Sequence, residues 1–194
     1  MALDIPAGKK GLTVTALYFI GKKENAMIWN LRFCSDRDRT IMVYPFLELG
    51  MMEFMRELQW QCYNKHQLKV TWMKEEQSLV YHYDVETQPK PDETPLIYFA
   101  STETVQSFEG DRDEFIGPYR SEENPIALEE DTLGNSVLQG GDPCFALQIP
   151  VELKAGEEKE MSIFLGAAMT ENEIRRSLKN CRKKDFVRES FEEL

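Results

Sequence analysis

Histidine trades a proton near neutral pH, so the imidazoles are the first place to look for acid–base chemistry. There are two, His66 and His82. His82 falls in an alternating run beside Tyr81 and Tyr83 and faces away from them. That is the position of a solvent-side or hydrogen-bonded structural residue. His66 lies in Tyr63-Asn64-Lys65-His66 between elements, a better position for a site, although a loop histidine is more often structural. Asp111, Asp113 and Glu114 form an acidic cluster in GDRDEF. Two carboxyl groups held about 5–9.5 Å apart across a sugar can run glycoside hydrolysis. Carboxylates this close in one loop more often bond backbone amides and a neighbouring arginine, here Arg112. No G-x-S-x-G, no GxGxxG after a strand and no P-loop occurs, and Gly140-Gly141 lacks the Lys-Ser/Thr pair that phosphate cradling needs. Cys34, Cys62, Cys144 and Cys181 contain no CxxC and no histidine at ligand spacing. This argues against zinc and for four reduced thiols, mostly buried. The residues by themselves show no reaction centre, metal site or cofactor site.

The elements that position these groups read as β-structure. Runs of β-branched and aromatic residues, separated by polar turns at about ten-residue spacing, predict strands over 11–20, 26–34, 40–48, 67–73, 79–85 and 96–101. Met27, Trp29, Leu31 and Phe33 share one face of the second run, and Leu79, Tyr81 and Tyr83 one face of the fifth. The period changes over 49–60, where Met51, Met52, Met55 and Leu58 fit a short helix or an irregular excursion. Three prolines make 86–95 a loop. Residues 102–143 are rich in Gly, Pro, Asn and acids and predict long loops with little regular structure. A last strand pair is expected over 144–153 and 161–166 around KAGEEKE. Thr170 and Glu173 form a T-x-x-E capping box that opens a helix over 171–194, supported by Glu171–Arg175 at i,i+4. The expected fold class is mainly β, an antiparallel β-sandwich with long loops and a C-terminal helix.

Composition narrows the function classes. Apolar residues are 42% and charged residues 29%, a globular balance. Net charge is −11, and it is local: residues 84–131 hold 14 Asp/Glu against 3 Lys/Arg, leaving the rest neutral. Such a chain is a poor ligand for nucleic acid or an anionic membrane. No apolar run approaches the ~18 residues of a spanning helix, and the opening MALDIPAGKKGLTV has no signal-peptide run. A cytoplasmic location is expected.

Four stretches carry a resemblance: ENAMIWNLRF (24–33), ELQWQCYNK (57–65), FEGDRDEFIGPYRSEENPIAL (108–128) and GGDPCFALQIPVELKAGEEKEMSIFLG (140–166). The most telling piece is D-R-D-x-F-x-G-x-Y-R-x-x-x-N-P, here Asp111, Arg112, Asp113, Phe115, Gly117, Tyr119, Arg120, Asn124 and Pro125. Over roughly 11–170 the chain resembles the amino-terminal β-sandwich domain of the inverting glycoside phosphorylases, the family of cellobiose, cellodextrin and chitobiose phosphorylases. ELQWQCYNKHQLKV looks closest to the cellodextrin branch.

The resemblance implies a galactose-mutarotase-like super-sandwich, here partial, over 1–170, with 171–194 as a linker helix leading to an (α/α)6 catalytic barrel absent from this chain. It implies that the barrel's Asp protonates the leaving oxygen while inorganic phosphate, a co-substrate and not a cofactor, attacks from the other face to give α-glucose 1-phosphate. Phosphate is already a nucleophile, so no second carboxylate is needed as base. The sandwich is expected to build a homodimer interface and to send a loop to the rim of the substrate site. The matching candidates are Trp60, Gln61, Tyr63 and Asn64, an aromatic-plus-amide set suited to a β-glucan oligosaccharide. Asp111, Arg112, Asp113, Tyr119 and Arg120 are expected to scaffold their loop, with the arginines bridging Asp111, Asp113 and the Glu122–Glu123 pair. No catalytic residue is expected in this chain. Two other readings remain: a stand-alone non-catalytic carbohydrate-binding or interaction module, and a mutarotase-like isomerase using His66 or His82.

Overall fold

The described residues of the computed structural model are 2–5 (backbone only), 11–50, 58, 59, 63, 65–83 and 94–194. Along them run β1 (Ala2–Ile5), β2 (Leu12–Ile20), β3 (Ala26–Ser35), β4 (Arg39–Val43), β5 (Phe46–Glu48), β6 (Leu68–Met73), β7 (Ser78–Tyr83), β8 (Leu96–Ser101) and β9 (Ser107–Asp111). Helix α1 (Arg112–Ile116), a 3-10 turn (Ile126–Leu128), β10 (Leu138–Gln139), β11 (Pro143–Leu153), β12 (Glu158–Ala168), α2 (Glu171–Cys181) and α3 (Phe186–Glu192) follow. The predicted change of period over 49–60 and the 86–95 loop fall almost wholly outside the described residues.

The strands form two antiparallel sheets. The wide one has the order β1-β2-β3-β12-β8-β7-β6-β10; the narrow one is built on β11, with β4 and β5 along one flank and β9 along the other. The predicted strand over 40–48 is one path in two pieces. Val43 opposes Ile149 and Phe46 opposes Ala146 in the same register, and between them Pro45, with no N–H to donate, still accepts from Leu147 N at 3.2 Å. The predicted last strand pair is corrected: β11 and β12 are central strands of different sheets. The turn between them lies against the turn that carries β3 into β4. Ser35 and Ala155 form a parallel bridge, Gly156 N donates to Ser35 O at 2.9 Å, and Ala155 N donates to Asp38 Oδ1 at 2.9 Å. KAGEEKE is thus a crossing between layers, not a hairpin.

Alternation places the core between the sheets. Phe33, Leu79, Tyr81, Phe99 and Ile163 of the wide sheet meet Phe145, Leu147, Ile149, Val151 and Leu153 of β11. Phe99 and Phe145 stack at 5.5 Å. Burying one such side chain stabilises by ~1.5–3 kcal/mol. The outer face of the wide sheet, including Ile28, Val80, Tyr98 and Phe164, packs under Ile174, Leu178 and Cys181 of α2. The capping box forms: Glu173 N donates to Thr170 Oγ1 at 3.2 Å, and Met169 N donates to Glu173 Oε2 at 2.8 Å. Thr170→Ala is expected to lower stability by ~1 kcal/mol in urea unfolding, with the m-value unchanged. The predicted single helix over 171–194 is two helices. Nothing in the sequence breaks it, but Arg182 turns inward to donate to Ser101 O at 2.9 Å and Glu76 O at 2.6 Å, and the chain bends over 182–185. Cys144 and Cys181 are buried free thiols and Cys34 is exposed. Burial pushes Cys181 up to about 12.

Candidate functional site

The acidic segment is a structural layer with its own small elements, where long loops with little regular structure were expected. Residues of α1 and 126–133 cover the outer face of the narrow sheet: Phe115, Ile116 and Leu133 pack on Cys144 and Ala146. The motif does this residue by residue. Asp111 caps α1, accepting from Asp113 N at 2.9 Å. Phe115 stacks on Phe46 at 4.7 Å with the rings 11° apart. Gly117 takes φ +84°, and a Cβ there would lie 2.7 Å from Ile126 Cγ2, so only glycine fits. Pro125 is buried. The arginine pairing differs from expectation. Arg112 pairs with Glu48 on β5, and Arg120 with Glu129 at 2.5 Å. Asp111 Oδ1 accepts from Asp113 N at the helix cap, and the ion-pair partners of both arginines are glutamates on other segments. Tyr119 stands apart, with its side chain fully exposed and its backbone at φ +60°.

Under this layer lie the buried polar side chains Ser107, Glu109 and Gln148. Gln148 accepts from Ser107 Oγ and donates to Tyr44 Oη at 2.9 Å and Asp131 O at 2.8 Å, while Ser107 Oγ accepts from Leu133 N at 2.9 Å. Glu109, 1% exposed, accepts from Gly110 N at 3.0 Å and Asp111 N at 3.1 Å, with Ser136 also donating. Burial outweighs these donors and raises its carboxyl above the ordinary 4.5. A raised native value favours the folded state below the ordinary value and loses that contribution as pH rises through the native one. Wild-type stability relative to Glu109→Gln should therefore fall as pH rises from the ordinary 4.5 through the raised native value. Parallel denaturation midpoints for the two proteins across that range would contradict this.

At one end of this layer the motif-bearing stretches converge. Lys65 Nζ pairs with Asp142 Oδ2 at 2.6 Å, Asp142 O accepts from Arg112 N at 2.9 Å, and Gly141 N donates to Lys65 O at 3.0 Å. Gly140 at φ +81° and Gly141 at φ +134° make the turn that allows this. The GGDP turn thus ties Lys65 to the DRDEF motif. Of those rim residues, Tyr63 is helical and 56% exposed, whereas Trp60, Gln61 and Asn64 lie outside the described residues. Tyr63 offers a ring face and an Oη to a sugar, while Lys65 is neutralised by Asp142. The ion pairs Lys65–Asp142 and Arg112–Glu48 were not foreseen, because their partners lie 77 and 64 residues apart.

Of the two histidines, His66 lies beside the Gly140 turn at this end and His82 lies in a strand pair. His66 is exposed, and His82 Nε2 lies 2.9 Å from Thr71 Oγ1 across the β6–β7 hairpin. Among the described residues no three His, Cys, Asp or Glu side chains are grouped to hold a metal ion, and no helix is long and apolar enough to cross a membrane.

Comparison with known proteins adds an independent observation. Residues 4–184 match the model of the glycosyl hydrolase 94 supersandwich domain. The chain is 29% identical over 159 residues to N,N'-diacetylchitobiose phosphorylase of Vibrio furnissii, covering 80% of this chain and 19% of that protein. It is 25% identical over 160 residues to solabiose phosphorylase of Paenibacillus borealis, covering 81% and 20%. Among solved structures, a polysaccharide lyase superposes with a TM-score of 0.47 at 14% identity, covering 90% of this chain and 23% of that one. The chain spans about a fifth of the length of the curated relatives it matches.

Proposed function

Because this chain belongs to the glycosyl hydrolase 94 supersandwich family, we propose that it is the sandwich portion of a β-glucoside phosphorylase. Its substrates would be cellobiose and longer cellodextrins. Joined to a helical catalytic portion, it takes part in inverting phosphorolysis: an acid on that portion protonates the leaving oxygen, and inorganic phosphate displaces it to give α-glucose 1-phosphate. Two roles fall to this chain. It assembles the enzyme as a cytoplasmic homodimer, and the Trp60–Asn64 segment forms the rim of the substrate site. The match over 4–184 carries this reading. The mooring of Lys65 by Asp142 supports the rim role, since a rim loop needs fixed anchorage to position a sugar.

The test is a chimera in which this chain replaces the matched region of the Vibrio furnissii enzyme. Phosphorolysis by the chimera, reduced on Tyr63→Ala through KM more than kcat, is expected. An inactive chimera, or one whose kinetics ignore Tyr63, would overturn the assembly role or the rim role respectively.

A further inference from the structure

Every other aromatic or arginine of the D-R-D-x-F-x-G-x-Y-R motif is occupied: Arg112 by Glu48, Phe115 by Phe46, Arg120 by Glu129. Tyr119 is 108% exposed, so its ring contributes nothing to the packing of this chain. It stands on a segment, 114–130, whose exposed side chains include apolar and acidic ones. Ile126, 36% exposed, rests against Gly117, and Leu128 is 46% exposed. Glu114, Glu122, Glu123 and Glu130 are exposed on the same segment, and residues 109–131 hold nine Asp/Glu against two Lys/Arg. The two arginines already have carboxylate partners. A fully exposed aromatic on a segment with exposed apolar and charged side chains suits a protein contact.

The charge selects the occupant. A second copy meeting this surface about a two-fold axis would set carboxylates against carboxylates. A surface bearing Lys and Arg is the complement. The relatives are about five times the length this chain spans, so most of a phosphorylase lies outside it. We propose that Tyr119 is the anchor by which this module docks on the remaining polypeptide of the phosphorylase, and that the surface it meets carries Lys and Arg around an apolar seat. The proposal rests on the reading of the chain as one module of such an enzyme.

The probe is nitration of Tyr119 by tetranitromethane, mapped by peptide mass, in the isolated chain and in the chimera described above. Tyr119 should be modified readily in the isolated chain and about tenfold more slowly in the chimera. Raising NaCl from about 50 to 500 mM should weaken that protection, as should Glu122→Lys with Glu123→Lys. Tyr119→Ala should lower the thermal midpoint of the chimera and leave that of the isolated chain unchanged; Tyr119→Phe should preserve both. An active chimera whose Tyr119 is nitrated as fast as in the isolated chain overturns the anchor and leaves the functional reading standing. An inactive chimera overturns both. Equal losses of stability in both proteins on Tyr119→Ala would make the residue structural and overturn the proposal, as would protection that grows with concentration of the isolated chain.

Discussion

Gly166→Ala should destabilise the chain by ~2–4 kcal/mol, although alanine in an extended strand is ordinarily the better residue. Gly166 lies directly opposite Tyr98 in the β12–β8 pair. A Cβ at 166 would stand 2.2 Å from Tyr98 Cζ. The ring has nowhere to go. It is fully buried beneath α2, and its hydroxyl lies 2.8 Å from Ser177 Oγ, which in turn donates to Glu24 Oε2 at 2.8 Å. Burial pushes the phenol up to about 12, so the hydroxyl stays protonated as the neutral partner in that chain. The missing side chain at 166 is therefore the seat of the tyrosine. In a double-mutant cycle, Gly166→Ala with Tyr98→Ala should lose less than the two single losses combined, by ~1 kcal/mol or more. Strict additivity would show that the close approach is not what makes the glycine necessary.

The second large effect is expected at Gln148. Gln148→Ala should destabilise by ~3–4 kcal/mol, more than an apolar cavity of the same size. The truncation leaves the Ser107 hydroxyl, Tyr44 and the Asp131 carbonyl without their buried partner. Those three groups belong to β9, the β4–β5 link and the acidic layer, so the loss should be regional. Hydrogen exchange should speed first at Leu133 N, Phe108 N and Asn135 N, where the acidic layer is bonded to β9, and only later in α2. A uniform loss of protection across both faces would contradict the view that this network holds the layer in place.

Much of the architecture is legible in the sequence, and the failures have a common cause. Trp29, Leu31 and Phe33 alternate with Asn30 and Arg32, so β3 and its inter-sheet face follow from period, whereas Ile28, buried on the opposite face under α2, does not. Thr170 and Glu173 announce α2 through local hydrogen bonding. The partner of a strand is not a local property. KAGEEKE has the composition of a hairpin turn, and its tie to the Ser35–Asp38 turn depends on residues more than 115 positions away. The acidic segment reads as loop because its helix is five residues long and its packing residues, Phe115, Ile116 and Leu133, follow no period. Asp111 two residues before Asp113 is the one cap signal there, and it is easily mistaken for a functional acid. Among the predicted rim residues, only Tyr63 falls within the described structure, and its anchorage through Lys65 is a tertiary fact.

As proposed, this chain is a supporting module, and phosphorolysis needs chemistry held elsewhere. Incubation of the purified chain with cellobiose or cellotetraose and inorganic phosphate, with α-glucose 1-phosphate measured by a coupled assay, tests it most directly. No product above the protein-free control is expected at any chain concentration. Product that rises in proportion to the chain, and persists through repeated purification, would contradict it.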